Sequence, residues 1–225
     1  MRAPPALTAA WLLVGLPAWL SHAAAPVAAA PESAAQEVGP YELMTLLSTR
    51  LLATLDRDRS RIRQRPDLVM PLVDELLSPH FDTEQTARLV LGAHWRSATP
   101  AQRERFAAAL YRTLLSTYAG AVAEWTSERL RILPLRGDLA ASQATVRTEV
   151  ARLGAAAVIV DYRLRRTAEG WKIFDVVVDG VSYVRSYHDD IDGEVSQNGL
   201  DASIARLETR SRSAARAADK VPGSP

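Results

Sequence analysis

The hydrophobic repeat of this chain changes period near Leu130, and that change limits the folds available to it. Upstream, apolar residues recur every three or four positions, as on one helix face, for example at Leu43, Leu46, Leu47, Leu51 and Leu55. Downstream they alternate with polar neighbours, as on a half-buried strand, for example at Val158, Val160, Tyr162 and Leu164. Helices followed by antiparallel strands predict an α+β fold whose helices cover one sheet face. We expect strand twist to curl that sheet into a half-open cone.

Two capping boxes predict where helices begin. Asp82 is followed three residues later by Gln85, and Thr99 is followed by Pro100 and then by Gln102. The second box opens a long helix, which we expect to continue to about residue 124. Its residues form a wide apolar face at Phe106, Leu110, Tyr111, Leu114, Leu115, Tyr118 and Val122.

A short turn separates the last two long strands. Ala168, Glu169 and Gly170 lie between the alternating segments 162–165 and 171–174. Glycine accepts a positive φ without steric cost, so this spacing predicts a hairpin.

The N-terminus has the plan of a secretory signal peptide. Arg2 precedes an apolar run over 7–20, and small residues follow it at 23–25. We predict a signal peptide over 1–25, a disordered leader over 26–39, a domain over 40–210 and a disordered tail over 211–225. An uncleaved membrane anchor is the alternative, but the run is short and no stop-transfer charges follow it.

The composition excludes several classes of protein. The chain has no cysteine, so it carries neither a lipidated cysteine nor a disulfide. Loss of residues 1–25 removes one basic residue and leaves equal numbers of basic and acidic residues. A neutral chain gives no electrostatic reason to expect binding to nucleic acid or attraction to a membrane surface.

Motifs for enzymatic chemistry are absent from the sequence. It contains no G-x-S-x-G elbow, no glycine-rich phosphate loop and no cysteine nucleophile. The histidines, at positions 22, 80, 94 and 188, lack the spacing of a metal site. Asp189, Asp190 and Asp192 lack the pattern of a calcium loop and are interpreted as a solvated helix face. We therefore expect no metal and no cofactor.

Several short blocks of the sequence, in order, resemble the MlaC, or toluene-tolerance, family. The blocks lie at residues 40–44, 89–92, 95–103, 161–163, 170–175, 179–182 and 198–201, and the resemblance extends from about Pro40 to Leu207. One departure is visible, because His188 stands where the family often has an arginine. That difference leaves open any charge-based role at this position.

The resemblance implies a periplasmic protein with a nuclear-transport-factor-like fold. In that fold an antiparallel curved sheet and a long helix, with an added helical subdomain, enclose an apolar pocket for phospholipid tails. It also implies a function in outer-membrane lipid asymmetry, with phospholipid as cargo and no cofactor. The implied partners are an outer-membrane lipoprotein complex and an inner-membrane ABC-type transporter complex with a periplasmic lipid-binding ring. Composition alone favours a fully packed core over such a pocket.

The expected pocket lies between the long helix and the inner sheet face. The residues that line it depend on which face of the strand around Val160 turns inward. Because Asp161 and Arg163 are charged, we expect them to face outward and Val160 to face the pocket. The expected contacts with lipid tails are Leu91, Trp95, Tyr111, Leu115, Tyr118, Val146, Val158, Val160, Tyr162, Phe174, Val176 and Val181. Tyr183 and Tyr187 are expected at the mouth, where a phenol combines an apolar ring with a polar tip.

Two other classes of function remain open from the residues. Cone-shaped folds also house isomerases, for which Tyr162, Asp161 and Asp175 are the candidate residues, although alternation puts Asp161 on the face opposite Tyr162. The second class is an interaction module that binds a partner peptide or helix in the apolar groove.

Overall fold

Seven helices and five strands make up the part of the chain that the computed structural model describes, namely residues 38–123, 126, 129–135, 141–152 and 154–219. The helices are α1 (Pro40–Gln64), α2 (Val69–Leu77), α3 (Thr83–Leu91), α4 (His94–Ser97), α5 (Pro100–Ala123), α6 (Tyr183–Asn198) and α7 (Leu200–Asp219). The strands are β1 (Leu130–Ile132), β2 (Gln143–Arg152), β3 (Ala155–Thr167), β4 (Gly170–Val178) and β5 (Val181–Ser182). The predicted α+β class is confirmed. The signal peptide and almost all of the leader lie outside the described residues.

Both predicted capping boxes form. At the start of α3 the side chain of Asp82 accepts a hydrogen bond of 3.0 Å from the amide of Gln85. At the start of α5 the Thr99 hydroxyl accepts from the Gln102 amide at 3.2 Å, and the Thr99 amide donates back to the Gln102 side chain at 3.0 Å. Each bond satisfies an amide that the helix cannot pair itself. The long helix ends at Ala123, close to its predicted end.

The five strands form one antiparallel sheet in sequence order. Val146 pairs with Tyr162, and Val160 pairs with Val178, so these residues share the sheet face that the helices cover. Two-residue turns connect β3 to β4 and β4 to β5. In the second turn Asp179 and Gly180 have φ values of 47° and 85°, as a type I′ turn requires.

A β-bulge in β4 changes the side-chain alternation of that strand. Arg163 pairs with Asp175, but the next residue, Leu164, pairs with Ile173, so Phe174 is the extra residue. Before the bulge, odd-numbered Trp171 and Ile173 are buried against the helices, whereas after it even-numbered Val176 faces them. A bulge also bends its strand and strengthens the local twist, which curves the sheet.

Helix α3 is attached to the sheet at this bulge. The Asp82 amide donates to the carbonyl of Ile173 at 2.7 Å, and the Thr86 hydroxyl donates to the carbonyl of Phe174 at 2.8 Å. The second carboxylate oxygen of Asp82 pairs with Nε of Arg165 on β3 at 2.5 Å. Asp82 therefore caps a helix and joins that helix to two strands.

The apolar core is divided between the two flanks of the sheet. On one flank α1 packs on the sheet through a cluster that includes Leu43, Leu47, Val146, Leu164 and Trp171. On the other flank α3, α5, α6 and α7 form a helical core that includes Leu91, Phe106, Leu110, Ile191 and Ile204. A third cluster joins α1 to α2. Within the described residues, no helix has both the length and the hydropathy needed to cross a bilayer.

The predicted boundary between domain and tail at residue 211 needs correction. Helix α7 continues to Asp219, and Ser211 is buried, with its hydroxyl donating to the carbonyl of Glu208 at 3.0 Å. The residues beyond Ser211 are mainly alanine and arginine, which have high helix propensity and so extend the helix without an apolar stripe. The rest of the predicted tail lies outside the described residues.

Asp82→Ala is expected to lower the free energy of unfolding by about 2–3 kcal/mol, measured by urea denaturation. The substitution removes a helix cap and leaves the Arg165 guanidinium without its carboxylate. Glu84→Ala is the matched control, because Glu84 is an exposed acid in the same helical turn, and we expect it to cost under about 0.5 kcal/mol. Equal losses in both variants would contradict a specific role for Asp82.

Candidate functional site

An apolar cavity of about 540 Å³ lies between the helices and the inner face of the sheet. Side chains from α1, α2, α3 and α5 form one wall, and β2, β3, β4 and the first turns of α6 form the other. Its volume falls within the roughly 300–1,000 Å³ that is usual for small-molecule sites in proteins. The division of the core between the two flanks leaves this central space unfilled.

One end of the cavity is closed by the packed core. Leu47, Val90 and Leu110 line this end, and each is at most 2% exposed. Thr86 lies among them, with its hydroxyl bonded to carbonyls of Asp82 and Phe174. The closed end therefore presents hydrocarbon and already satisfied polar groups.

The other end reaches solvent at the C-terminal end of α5. Tyr118 and Val122 of α5 lie there with Val178 at the end of β4 and Tyr183 at the start of α6, and all four are only partly buried. The rings of Tyr118 and Tyr183 stack with their centroids 4.2 Å apart. Leu110 and Val122 both line the cavity, and at 1.5 Å per residue the stretch of α5 between them is about 18 Å long.

Four tyrosines on the wall carry a raised pKa. Burial raises the pKa of Tyr162 to about 12, against a smaller opposing effect of its hydrogen bond with Thr148. Burial also raises the pKa of Tyr111, Tyr183 and Tyr187, and hydrogen bonds with Asp74 and Tyr118 add to the effect at Tyr111 and Tyr183. The phenols therefore stay neutral at physiological pH and add no charge to the wall.

Asp175 is the acidic residue of the described wall, and its carboxylate is fully engaged. Its oxygens accept from the Ser182 hydroxyl at 2.7 Å and from the Val184 amide at 3.1 Å, and one of them pairs with Arg163 at 3.2 Å. The carboxylate thus fixes the start of α6 to the sheet. Asp161 lies on the outer face, as alternation predicted, where it pairs with Nε of Arg147 at 2.6 Å.

Ten of the predicted tail and mouth residues line this cavity. They are Tyr111, Leu115, Tyr118, Val158, Val160, Tyr162, Phe174, Val176, Tyr183 and Tyr187. The inward phase chosen for β3 agrees with the structure, because Val158 and Val160 are buried on the cavity side. Contact of these residues with a lipid stays a prediction.

Four of the predicted residues lie elsewhere and are corrected. Leu91 is buried in the core formed by α3, α5, α6 and α7, and Trp95 packs on that core beneath the guanidinium of Arg103, 5.0 Å from its ring. Val146 faces the helices as expected, but it is completely buried in the cluster that α1 forms with the sheet. Val181, the first residue of the two-residue strand β5, is 57% exposed.

The contribution of the first two helices to the wall was not predicted from the sequence. Met44, Leu47 and Leu51 of α1 and Val73 and Leu77 of α2 line the cavity. Their three-and-four spacing identified a helix face, but spacing alone does not say which surface that face covers. Two arginines at the open end, Arg129 and Arg152, were also missed.

Two of the histidines, His94 and His188, have local structural partners. His94 pairs with Asp192 at 2.9 Å, which joins α4 to α6, and Nδ1 of His188 lies 2.9 Å from the carbonyl of Val90. Asp189 and Asp190 are exposed on α6. In the described segments, no three His, Asp or Glu side chains come together as metal ligands would.

Comparison with protein families gives a match over most of the chain. Residues 46–209 match the family model described as MlaC protein. Toluene tolerance protein ttg2D of Pseudomonas putida is 25% identical over 186 residues, which cover 81% of this chain and 86% of that protein. The intermembrane phospholipid transport system binding protein MlaC of Haemophilus influenzae is 24% identical over 78% of this chain and 84% of its own length.

A solved structure has the same fold. It is a phospholipid-binding protein from Ralstonia solanacearum in complex with a phospholipid, with a TM-score of 0.70 and 26% sequence identity. The similarity covers 77% of this chain and 97% of that protein.

Truncation on the cavity wall is expected to destabilise the ligand-free protein less than the same truncation in the packed core. We expect Leu164→Ala to lower the free energy of unfolding by about 3–5 kcal/mol and Leu115→Ala by about half as much. Leu164 is completely buried among side chains, whereas Leu115 already faces open space. Urea denaturation of delipidated protein measures both, and equal losses would mean that the cavity is closed in solution.

Proposed function

The chain belongs to the MlaC family, and from this we propose that it is a carrier that binds phospholipid by enclosing its acyl tails in the cavity. The observation that carries the proposal is the size and apolar lining of that cavity. The stretch of α5 that lines it is about 18 Å long, which is comparable to half of the ~30 Å hydrocarbon core of a bilayer, the length of the tails in one leaflet. The phospholipid in the related Ralstonia solanacearum structure supports the same ligand class.

The energetics of transfer explain why a carrier needs such a cavity. Burial of hydrocarbon is worth ~0.8 kcal/mol per CH₂, so a tail of about 16 carbons exposed to water would cost on the order of 12 kcal/mol. A carrier therefore has to cover the tail during transit. Because the lipid starts from a bilayer, the cavity needs only to approach the affinity of the membrane.

The distribution of polar groups fits a lipid that enters tail first. The closed end is formed by fully buried apolar residues, and the partly exposed phenols of Tyr118 and Tyr183 lie at the open end. A headgroup at the open end stays in water and avoids the cost of burying charge.

In this proposal the protein moves phospholipid between an outer-membrane lipoprotein complex and an inner-membrane ABC-type transporter complex with a periplasmic lipid-binding ring, and so maintains outer-membrane lipid asymmetry. The name of the Haemophilus influenzae relative, an intermembrane phospholipid transport system binding protein, supports this place between two membranes. Phospholipid is cargo, and the proposal includes no cofactor and no catalytic step. The engagement of Asp175 with three other groups supports a structural use of that carboxylate.

Val160→Glu is expected to yield a folded protein with at least a tenfold loss of bound phospholipid. A carboxylate on the wall would be desolvated by the tails at a cost of several kcal/mol, which exceeds the ~1.4 kcal/mol of a tenfold change. Bound lipid is measured by native mass spectrometry of protein taken from a bacterial periplasm, alongside thermal melting. Leu115→Trp fills the same space without charge and should also displace lipid.

Thr145→Glu is the matched control for Val160→Glu. Thr145 is exposed on the outer face of the sheet opposite Arg163. A glutamate at this position should therefore leave the amount of bound lipid unchanged. Full lipid content in both cavity variants would contradict the carrier proposal. A wild-type protein that carries no phospholipid and binds only a partner peptide would support an interaction module instead.

We propose that the protein acts in the periplasm after loss of residues 1–25, and we expect osmotic shock to release it with a mature N-terminus near Pro26. Ala23→Leu with Ala25→Leu should block cleavage, because signal peptidase requires small residues there. The matched substitutions Ala28→Leu and Ala30→Leu should leave processing intact. Retention of the wild-type protein in washed membranes would contradict the periplasmic assignment.

A further inference from the structure

We propose that Arg129 and Arg152 form a site for the phosphate group of the bound lipid, so that the protein selects amphiphiles with an anionic head. This inference rests on the proposed function and adds a polar recognition element to an otherwise apolar cavity.

The pairing of β2 with the segment that leads into β1 places the backbones of the two arginines next to each other. The carbonyl of Arg129 accepts a hydrogen bond of 2.8 Å from the amide of Ala151, which directly precedes Arg152. Both residues line the cavity, beside Val150 and close to the start of β3. They therefore lie at the end of the sheet where the cavity opens.

The charge of these arginines is not neutralised within the described part of the chain. They are the cationic residues of the described wall, and Asp175, its acidic residue, is occupied by Ser182, Val184 and Arg163. Across those same segments neither Arg129 nor Arg152 forms an ion pair. Other arginines of the sheet differ from these two, because each of them pairs with a carboxylate. They are Arg131, Arg147, Arg163 and Arg165.

A phosphate group fits this arrangement in charge and geometry. The guanidinium group presents several N–H donors in a planar fork that binds two phosphate oxygens at once. Cations next to hydrocarbon favour a ligand that is apolar over most of its length and anionic at one end. A neutral lipid with the same tails would fill the cavity but leave the arginines without an anion.

The test compares the full-length protein with an Arg129→Gln/Arg152→Gln variant, after both have been delipidated. Each protein is offered equimolar phosphatidylglycerol and diacylglycerol with identical acyl chains, and the bound ratio is read by native mass spectrometry. We expect the preference of the wild type for phosphatidylglycerol to fall about tenfold in the variant, which corresponds to ~1.4 kcal/mol. Arg131→Gln, an exposed arginine on β1 outside the cavity, is the matched control and should leave the ratio unchanged.

The single variant Arg152→Gln provides a second measurement, because Arg152 is exposed and its replacement should not disturb the fold. We expect about a threefold loss of preference there. Binding of both lipids at an unchanged ratio in the single and double variants would overturn the phosphate site and leave the proposed carrier intact. Failure of the wild type to bind either lipid would overturn both.

Inorganic phosphate distinguishes a lipid headgroup from a free anion as the source of the phosphate. Calorimetric titration of the delipidated wild type with millimolar inorganic phosphate should give no saturable binding, because the headgroup is held at the site by its tails. Saturable binding that the double variant abolishes would assign the site to a free anion and overturn the headgroup assignment.

Discussion

The cavity exists because the helices are fixed to the sheet at its flanks and not at its centre. Leu43 and Leu47 of α1 pack on Val146, Leu164 and Trp171 at one flank. Asp82 and Thr86 hold α3 to the bulge of β4 by hydrogen bonds, and α3 in turn packs with α5, α6 and α7. A gap between well-packed walls cannot close without breaking one of these attachments, since protein interiors resist deformation. The open space is therefore maintained by the attachments of the helices to the two flanks of the sheet.

Much of the fold was predictable from local sequence signals. The change of hydrophobic period, both capping boxes and the inward phase of β3 depend on residues within a few positions of each other, and all agree with the structure. The resemblance to the MlaC family, drawn from short blocks, is confirmed by the match over residues 46–209. Prediction was weaker wherever it had to specify which element packs against which apolar face. Leu91 and Val146 are buried, but they lie in packed clusters and do not line the cavity.

The bulge at Phe174 illustrates a second limit of sequence patterns. Strict alternation would turn Ile173 and Val176 to opposite faces, yet both lie on the side that the helices cover. The extra residue is visible only in the pairing with β3, which depends on contacts between strands. It also brings Asp175 into the buried position from which its carboxylate holds the first turn of α6. One inserted residue thus bends β4 and places the carboxylate that holds the helix at the cavity mouth.

The outermost strands of the sheet are short, with three residues in β1 and two in β5. Long exposed edge strands invite pairing with other chains, and a molecule that keeps an apolar opening in water is especially vulnerable to such association. Here α6 follows β5 at once, so little unpaired backbone of that strand remains to recruit another strand. The abbreviated edges let the domain keep a hydrophobic opening for its ligand without offering a template for aggregation.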